Sequence, residues 1–467
     1  MSLILRPYQQ RGVDELRSAY VRGKRSPLYV LPTGGGKTAV FSFIAESVRA
    51  RGKRAIILAH RQELLSQASK SLTRLDVSHG MISPRYSAQP SEPIQVASIQ
   101  TIVRRLDQVE EPDLLIFDEA HHCTSKSYRK VIARFPAAKI LGVTATPCRS
   151  DGAGLGVHAN GIFDELVLGP SIGELIEQMF LVKPIVYAPP VGIDLSGVRR
   201  KMGDYDRAEL SNRIDRPKIT GDTIAHYLKY CPREPAVAFC VSVRHAEHVA
   251  NEFRSAGIRA VRVDGGMHDS DRSAALKGLE DGSIDVVTSA DLIGEGVDLP
   301  RVSAAILLRP THSLALHLQQ VGRALRPYPG KTRALILDHV GNCMRHGLPD
   351  DDRDWSLDGS SQKSGKPKDF PIVRIEQCEK CYFVYETGPN NCPKCGHAQL
   401  PKLRKIEIQA GELEELKREQ AEQRRIERQE QGKARSLEDL QNLARKTGKS
   451  PGWAWHVWQS RKVRKRA

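Results

Sequence analysis

The sequence predicts an α/β protein in which two doubly wound parallel sheets follow one another along the chain. Through residue 340, short apolar runs alternate with stretches of helical spacing. Strands inside such sheets are apolar throughout, because helices cover both faces. The runs are SPLYVLP, RAIILAH, PDLLIFD and AKILGVTAT, then PAVAFCVS, IRAVRVD, DVVTS, AAILLRP and RALILDHV. This alternation, with enough strands for two sheets, indicates the two-sheet architecture.

Changes in this rhythm predict the domain organisation. The strand pattern lapses between Gly161 and Pro217. After residue 345 the chain becomes polar and rich in Ser and Gly, which is typical of a linker. The predicted segments are a first domain (1–165), a connecting segment (166–216), a second domain (217–345), a flexible linker (346–373), a small cysteine-rich module (374–400) and a charged helical tail (401–467).

The tail combines helical patterns with aromatic and basic residues. A Glu/Arg/Gln-rich stretch over 402–435 predicts a solvated helix, and Ser436 with Asp439 forms a capping-box pattern. Near its end the tail carries Trp453, Trp455, Trp458, Arg461, Lys462, Arg464, Lys465 and Arg466. The tryptophans can stack on bases or pack the last helix. We expect tryptophan packing together with contact between the basic residues and phosphates.

The composition fits a globular protein with a polyanionic partner. Hydrophobic residues make up 40% of the 467 residues, enough to bury cores. The formal net charge of +16 favours nucleic acid, although many basic proteins bind none. The sequence lacks an apolar run of about 20 residues and a signal-peptide pattern, so we expect no membrane contact. Four of the nine cysteines are tightly clustered, which is typical of a metal site rather than of a secreted disulfide framework, so we expect a reducing, cytoplasmic location.

A glycine-rich turn, PTGGGKT, follows an apolar strand and precedes a helical run. Backbone N–H groups of such a turn surround phosphate oxygens, and the helix N-terminus adds positive potential. Lys37 would neutralise the β- and γ-phosphates, and Thr38 would bind Mg²⁺. Leu31 stands where the general pattern has its first glycine, and an ordinary turn is the alternative. The predicted nucleotide-binding residues here are Thr33, Gly34, Gly35, Gly36, Lys37 and Thr38.

Two adjacent carboxylates end the strand in LLIFDEAH. Asp118 can hold Mg²⁺ through water, and Glu119 can orient and activate an attacking water. A solvated loop would also carry two carboxylates, but it would not explain their position downstream of a phosphate-binding turn. We therefore predict a site for ATP hydrolysis.

These motifs resemble those of superfamily 2 helicases, and the resemblance covers most of residues 3–340. It implies two RecA-like domains that bind ATP between them. It also implies that Gln9 in RPYQQ contacts adenine, that Asp118 to His121 is the DEAH form of the nucleotide box, and that Thr144 and Thr146 couple hydrolysis to the grip on nucleic acid.

Two further motifs of the family lie in the second half, in DLIGEGVD and QQVGRALRP. Arg323 and Arg326 are three residues apart and share one face of a predicted helix. The resemblance implies that both arginines reach across the cleft to the γ-phosphate, and that Asp298 belongs to the nucleotide site. One difference from the family is Ala290, just before Asp291 of the first motif, where many relatives have a threonine.

AHRQELLSQ, VASIQT and VSVRHAEHV resemble the motifs that hold the phosphate backbone in this family. Backbone contacts position a nucleic acid without reading its sequence, so we expect weak sequence preference. The predicted contacts are Arg61, Gln67, Ser98, Thr101 and Ser242.

CEKC and CPKC form two C-x2-C pairs with ten residues between them. Four thiolates at this spacing are typical of a tetrahedral Zn²⁺ site, and a short segment with little core needs such a site for its stability. We predict a structural zinc held by Cys378, Cys381, Cys392 and Cys395.

The sequence therefore predicts a nucleic-acid-stimulated ATPase, a DNA helicase or translocase with ATP, Mg²⁺ and structural Zn²⁺. The motifs most resemble the RadD/YejH-like DNA-repair group and related phage helicases, which implies DNA repair, recombination or phage replication. Single-stranded or branched DNA is the expected partner. The alternatives are an RNA-remodelling ATPase and a non-catalytic nucleic-acid-binding scaffold.

Overall fold

The computed structural model describes most of the chain up to residue 398 and a short part of the tail. The described residues are 4–84, 86, 89–149, 151–188, 195, 197–201, 204–214, 217–290, 298–359, 375–378, 380–386, 388–389, 391–398, 436–446 and 458. The side chains of residues 212, 213, 217–222, 445 and 446 are not described. Two compact units divide the chain at Gln399 and Leu400.

The first sheet has seven strands, which are parallel throughout. They are β1 (Pro27–Val30), β2 (Ala55–Ala59), β3 (Gly80–Ile82), β4 (Ile94–Ser98), β5 (Leu114–Asp118), β6 (Lys139–Thr144) and β7 (Glu165–Leu168). Their order is β3-β4-β2-β5-β6-β1-β7. The helices here are α1 (Pro7–Val21), α2 (Lys37–Arg49), α3 (Gln62–Arg74), α4 (Ile99–Ile102) and α5 (Lys126–Arg134). Apolar residues of the strands fill cores on both faces of the sheet, as the apolar runs predict.

The second sheet has six parallel strands. Its region contains β8 (Lys183–Tyr187), β9 (Arg200–Lys201), β10 (Asp204–Tyr205), β11 (Ala236–Phe239), β12 (Ala260–Val263), β13 (Val286–Ser289), β14 (Ala304–Leu307) and β15 (Arg333–Asp338). The sheet order is β12-β13-β11-β14-β15-β8, while β9 and β10 form a separate antiparallel hairpin. The helices are α6 (Ile172–Glu177), α7 (Arg207–Ile214), α8 (Pro217–Tyr230), α9 (Val243–Ser255), α10 (Asp269–Asp281), α11 (Leu314–Ala324) and α12 (Asn342–His346).

The segment predicted as a connection, 166–216, contributes to both sheets. It supplies the end of β7 to the first sheet and all of β8 to the second. These two strands are short, and β8 contains Pro184, a residue that disfavours a strand assignment, so they carry little periodic signal.

The cysteine-rich module contains the strands β16 (Ile375–Gln377) and β17 (Val384–Glu386), which pair antiparallel. It packs against β8 of the second sheet. The Tyr187 ring lies edge-on to Phe383 of the module with the ring centroids 6.3 Å apart, and the N–H of Ala188 donates to the Tyr382 carbonyl at 3.2 Å. Aromatic and backbone contacts therefore hold the module to the second domain.

The second unit contains α13 (Leu437–Lys446). The capping box is confirmed: the N–H of Asp439 donates to Ser436 Oγ at 3.0 Å, and the N–H of Ser436 donates to Asp439 Oδ2 at 2.9 Å. Trp458 packs against Leu440. The helix predicted over 402–435 and the other tryptophans and basic residues of the tail lie outside the described residues. None of the described helices has the length and apolar character needed to cross a bilayer.

Residues 350–359, here called the strap, run back from the second domain onto the first. The N–H groups of Leu155 and Gly156 donate to the Leu357 carbonyl at 3.0 and 2.9 Å, and Trp355 and Leu357 pack against the core on one face of the first sheet. The Arg353 guanidinium donates to four backbone carbonyls that precede it in sequence, between His346 and Asp351. This packing differs from the flexible linker that the polar composition predicts, because two apolar residues among many polar ones are enough to anchor it.

We expect Leu357→Ala to lower the unfolding midpoint of the full chain. Truncating a half-buried leucine should cost about 1–3 kcal/mol of unfolding free energy. Urea denaturation followed by tryptophan fluorescence measures the shift, and Asp354→Ala, at an exposed position of the same strap, is the matched control. Equal midpoints for the two variants would contradict the anchoring contact.

Candidate active site

The turn from Pro32 to Gly36 leads from β1 into α2, and its shape requires glycine. Gly34 and Gly36 have φ values of +89° and +86°. A Cβ atom on Gly36 would lie 2.4 Å from Gln9 Nε2. The first N–H groups of α2, which begins at Lys37, have no acceptor within the helix. The turn can therefore bind an anion at the helix N-terminus.

Gln9 lies behind this turn and is buried. Its Nε2 donates to the Gly35 carbonyl at 3.0 Å, and its Oε1 accepts from the N–H of Arg6 at 2.9 Å. The Tyr8 hydroxyl donates to the same Gly35 carbonyl at 2.9 Å. Gln9 and Tyr8 thus fix the turn from behind, while the adenine contact of Gln9 stays a prediction.

An aromatic surface lies beside this glutamine. Phe180 contacts the Tyr8 ring edge-on with the centroids 5.1 Å apart, and the Arg6 guanidinium carbon lies 4.5 Å from the Phe180 ring centroid. Sequence analysis did not select these side chains, because Phe180 lies in the segment predicted as a connection. A flat ring with a cation over it can bind a heterocyclic base.

The two predicted carboxylates lie at the carboxyl end of β5. Asp118 Oδ1 accepts from the N–H of Glu119 at 2.9 Å, and Glu119 Oε1 is 4.0 Å from Lys37 Nζ. Glu119 has a φ of +48°, which is unfavourable for a residue with a Cβ atom and costs about 1–3 kcal/mol. The surrounding contacts maintain this strained backbone and direct the carboxylate at the phosphate-binding turn.

A histidine connects Glu119 to the end of β6. His121 Nδ1 lies 3.5 Å from Glu119 Oε2 and 3.0 Å from Thr144 Oγ1. The Thr144 hydroxyl also accepts from the N–H of Thr146 at 3.2 Å. Thr144 and Thr146, predicted to couple hydrolysis to nucleic-acid binding, are thus in contact with the carboxylate through His121. Sequence analysis quoted His121 within the DEAH motif but assigned it no role.

The second domain reaches the same carboxylate through α11. Gln319 Nε2 donates to Glu119 Oε2 at 3.5 Å. Gly322, one turn further along α11, lies so close to the first domain that a Cβ atom on it would be 2.7 Å from Thr33 Cβ. The two domains are therefore closed on each other, and sequence analysis did not foresee the contact of Gln319.

The predicted arginines lie on this helix and just after it. Arg323 is buried, and Arg326 forms an ion pair with Asp298. A Cβ atom on Gly34 would lie 3.6 Å from Arg326 Cγ, so the aliphatic part of Arg326 lies against the phosphate-binding turn. Burial lowers the pKa of Arg326, while the Asp298 carboxylate acts in the opposite direction. Asp298 and Arg326, both predicted to belong to the nucleotide site, are therefore in contact with each other.

The predicted nucleic-acid contacts lie after the carboxyl ends of strands. Ser98 Oγ donates to Gln100 Oε1 at 2.7 Å, and Gln100 Nε2 donates to the His60 carbonyl at 3.1 Å, next to Arg61. Thr101 is buried and Gln67 is half-buried on α3. In the second domain Ser242 caps α9 by accepting from the N–H of His245 at 3.2 Å. The predicted nucleic-acid contacts therefore lie on both domains, four on the first domain and Ser242 on the second.

The four predicted zinc ligands lie together. All four sulfur atoms are within 4.8 Å of one another, and the Cys378–Cys395 and Cys381–Cys392 pairs of sulfur atoms are 3.6 and 3.7 Å apart. Four Zn–S bonds of about 2.3 Å in a tetrahedron place the sulfur atoms about 3.8 Å apart, so the arrangement fits zinc. Gly396, just after the second pair, has a φ of +68°, a conformation that glycine adopts without strain.

Comparisons with known proteins match both domains. The family "Type III restriction enzyme, res subunit" matches residues 2–149, and "Helicase conserved C-terminal domain" matches residues 222–328. A 51.5 kDa protein of a Lactococcus phage is 33% identical, over 83% of this chain and 82% of the phage protein. A protein from Schizosaccharomyces pombe that carries the name mitochondrial ATP-dependent helicase irc3 is 32% identical, over 74% of this chain and only 59% of its own length.

The fold also matches solved structures. The ATP-dependent Type ISP restriction-modification enzyme LlaBIII bound to DNA is similar with a TM-score of 0.54 and 17% sequence identity. The match covers 72% of this chain and 28% of that enzyme. At this level of identity the similarity shows the shared fold of the two sheets.

We expect Gly322→Ala to lower the rate of ATP hydrolysis on the order of 10–100-fold, because the new methyl group holds α11 away from Thr33 and misplaces Gln319 and Arg323. Steady-state phosphate release measures the rate. Circular dichroism serves as the control for folding, because alanine has a higher helix propensity than glycine and should leave the helix content unchanged. A rate equal to that of the unmodified protein would contradict the need for this close approach.

Proposed function

The chain belongs to superfamily 2 of the helicases, and from that membership we propose that it is an ATP-driven motor that moves along or remodels DNA. The observation that carries the proposal is the set of contacts around Glu119. This carboxylate lies near Lys37 of the phosphate-binding turn, Gln319 of the second domain and His121, which contacts Thr144. One side chain thus connects the nucleotide site, the opposing domain and the end of β6.

ATP would bind with its phosphates at the turn, where Lys37 neutralises the β- and γ-phosphates. Thr38 and Asp118 would hold Mg²⁺, which neutralises charge on the phosphate oxygens. Glu119 would orient a water molecule in line with the γ-phosphorus and accept its proton. The water oxygen bonds to phosphorus as the bond to the bridging oxygen breaks, which gives ADP and inorganic phosphate.

Arg323 and Arg326 would stabilise the charge that develops on the γ-phosphate. Such arginines contribute ~10³–10⁵ to the rate in phosphoryl transfer. Arg326 is paired with Asp298, so ATP binding would exchange a carboxylate for phosphate oxygens around that guanidinium. This exchange connects nucleotide binding to closure of the second domain.

Loss of the γ-phosphate would change the contacts of Glu119 and, through His121, those of Thr144 and Thr146. Glu119 and Thr144 lie at the carboxyl ends of β5 and β6, on the same edge of the sheet as the predicted nucleic-acid contacts at the ends of β2 and β4, so hydrolysis would alter the grip of one domain relative to the other. Alternating grip on a strand converts the cycle into movement. Backbone contacts predict weak sequence preference.

We propose DNA as the nucleic acid along which the protein moves, because the names of several proteins that it resembles indicate DNA processing. The restriction-enzyme family matches the first domain, and LlaBIII has the same fold and is bound to DNA in its structure. The phage relative supports a role in phage replication, and the appended cysteines support the RadD/YejH-like group with roles in DNA repair or recombination. Because the chain spans 59% of the fission-yeast helicase, the task of the whole protein is part of this proposal.

We expect Lys37→Ala and Glu119→Gln each to reduce DNA-stimulated ATP hydrolysis by at least about 100-fold, because each removes a group that acts on the reacting phosphate. Hydrolysis is measured without nucleic acid and with single-stranded, duplex and forked DNA and RNA. Lys70→Ala, at an exposed lysine of α3, is the matched control.

The pattern of stimulation separates the candidate functions. Stimulation by DNA that both variants abolish supports the DNA motor, and stimulation by RNA alone would replace it with an RNA-remodelling ATPase. Tight binding without hydrolysis under every condition would replace it with a non-catalytic scaffold.

We also propose that Cys378, Cys381, Cys392 and Cys395 hold a structural Zn²⁺, which would keep the module folded against β8. Zinc bound by four thiolates leaves no open position for a substrate. Reduced thiolates of this kind fit the cytoplasmic location expected from the cysteine pattern.

We expect the purified protein to contain a single zinc ion per chain and Cys378→Ser to lose it, since three thiolates bind zinc much more weakly than four. Elemental analysis measures the zinc. Cys148→Ser is the matched control and should keep the full amount. The assignment would be contradicted if Cys378→Ser kept its zinc and serine variants of the other three cysteines of the cluster kept it too.

A further inference from the structure

The hairpin of β9 and β10, together with α7, forms an element that the active site does not use. In β9, Arg200 and Lys201 are exposed, while in β10 Tyr205 is buried. Tyr205, Leu210 and Ile214 form a small core with Val241 of the second domain. The element is therefore attached to the second domain, with its basic strand facing outward.

Asp204 anchors the hairpin to the loop that follows β14. Its carboxylate accepts from the Thr311 hydroxyl at 3.0 Å, from the N–H of His312 at 2.8 Å and from the Arg309 guanidinium at 3.3 Å. The Tyr205 ring lies over His312 with the ring centroids 4.3 Å apart. The loop and hairpin thus form a single surface at the carboxyl edge of the second sheet.

The same element reaches a predicted nucleic-acid contact. Ser211 Oγ on α7 is 3.0 Å from Ser242 Oγ, which caps α9 after the end of β11. The hairpin element therefore contacts the ends of two neighbouring strands, β11 and β14. Both ends lie on the edge where parallel α/β sheets bind their ligands.

The acidic side chains of the element are already occupied. Asp204 faces the buried Arg309, Glu209 forms an ion pair with Arg199, and Asp206 Oδ1 accepts from the N–H groups of Ala208 and Glu209 at the start of α7. Asp204 and Glu209 are therefore each paired with an arginine other than Arg200, and among the residues that the structure describes none of the three carboxylates forms an ion pair with the exposed cations of β9.

Arg200 and Lys201 carry the positive charge of this surface. Within the described part of the chain, neither forms an ion pair. Burial lowers the pKa of His312, and the nearby Arg200 and Arg345 lower it further, while Asp204 acts in the opposite direction. Two exposed cations beside a phosphate-contact motif suit a polyanion better than an acidic patch of a folded protein, because they can follow a repeating charge.

We propose that Arg200 and Lys201 contact the phosphate backbone of the nucleic-acid strand held by the second domain. This inference rests on the proposed function and adds a contact outside the motifs that the sequence resembles. The anchoring of Asp204 to the loop at His312 would let the hairpin move with the second domain, so its grip would follow the ATP cycle.

The test is the salt dependence of binding by the full chain to a labelled oligothymidylate. Each lost phosphate contact should reduce the slope of log affinity against log salt by about 0.7 for a single strand, or about 1.4 for the pair. We therefore expect Arg200→Ala/Lys201→Ala to bind more weakly at low salt and to show this smaller slope. Arg200→Lys/Lys201→Arg keeps both charges and should keep the slope.

Arg51→Ala/Lys53→Ala is the matched control, since it removes two exposed charges at the opposite edge of the first sheet, before β2. A thermal unfolding midpoint near that of the unmodified protein shows that each variant is folded. An unchanged slope in the hairpin variant, or an equal decrease in the control, would overturn the assignment while the proposed motor stands. An unmodified protein that binds neither DNA nor RNA would overturn both.

Discussion

The close approach of Gly322 to Thr33 is the constraint on which the rest of the molecule depends. It allows α11 of the second domain to lie directly on the phosphate-binding turn of the first. Only with this approach does Gln319 reach Glu119 and does Arg326 lie along Gly34. A Cβ atom at Gly322 would lie 2.7 Å from Thr33 Cβ, closer than van der Waals contact allows, so any other residue there would require α11 or Thr33 to shift.

Glu119 contacts residues on both sides of the cleft. Its strained backbone directs the carboxylate toward Lys37, and its second oxygen faces Gln319 and His121. In the proposed cycle, a change at the bound phosphate would alter the contacts of Glu119 with the opposing domain and, through His121, with Thr144. Strain of this kind persists where the surrounding contacts outweigh its cost, which is typical of sites that switch.

Elements outside the two sheets attach the second domain to the first and carry further contacts of the second domain. The strap joins the end of that domain to the core of the first through Leu357, so opening of the cleft must act on the strap. The cysteine module is held to β8 by Tyr187, and the basic hairpin is held to the loop after β14 by Asp204. Both would therefore be carried as parts of the second domain whenever the cleft opens or closes.

The sequence by itself determined the two-sheet fold, the phosphate-binding turn and the four-cysteine cluster. Each of these is encoded locally, in apolar runs, in glycines between a strand and a helix, or in thiols at a fixed spacing. Tertiary structure decided what Glu119 contacts across the cleft, that Asp298 pairs with Arg326, and that Leu357 anchors a polar segment. These contacts join residues far apart in the chain, and no periodic or spacing signal in one sequence reports which distant side chains meet.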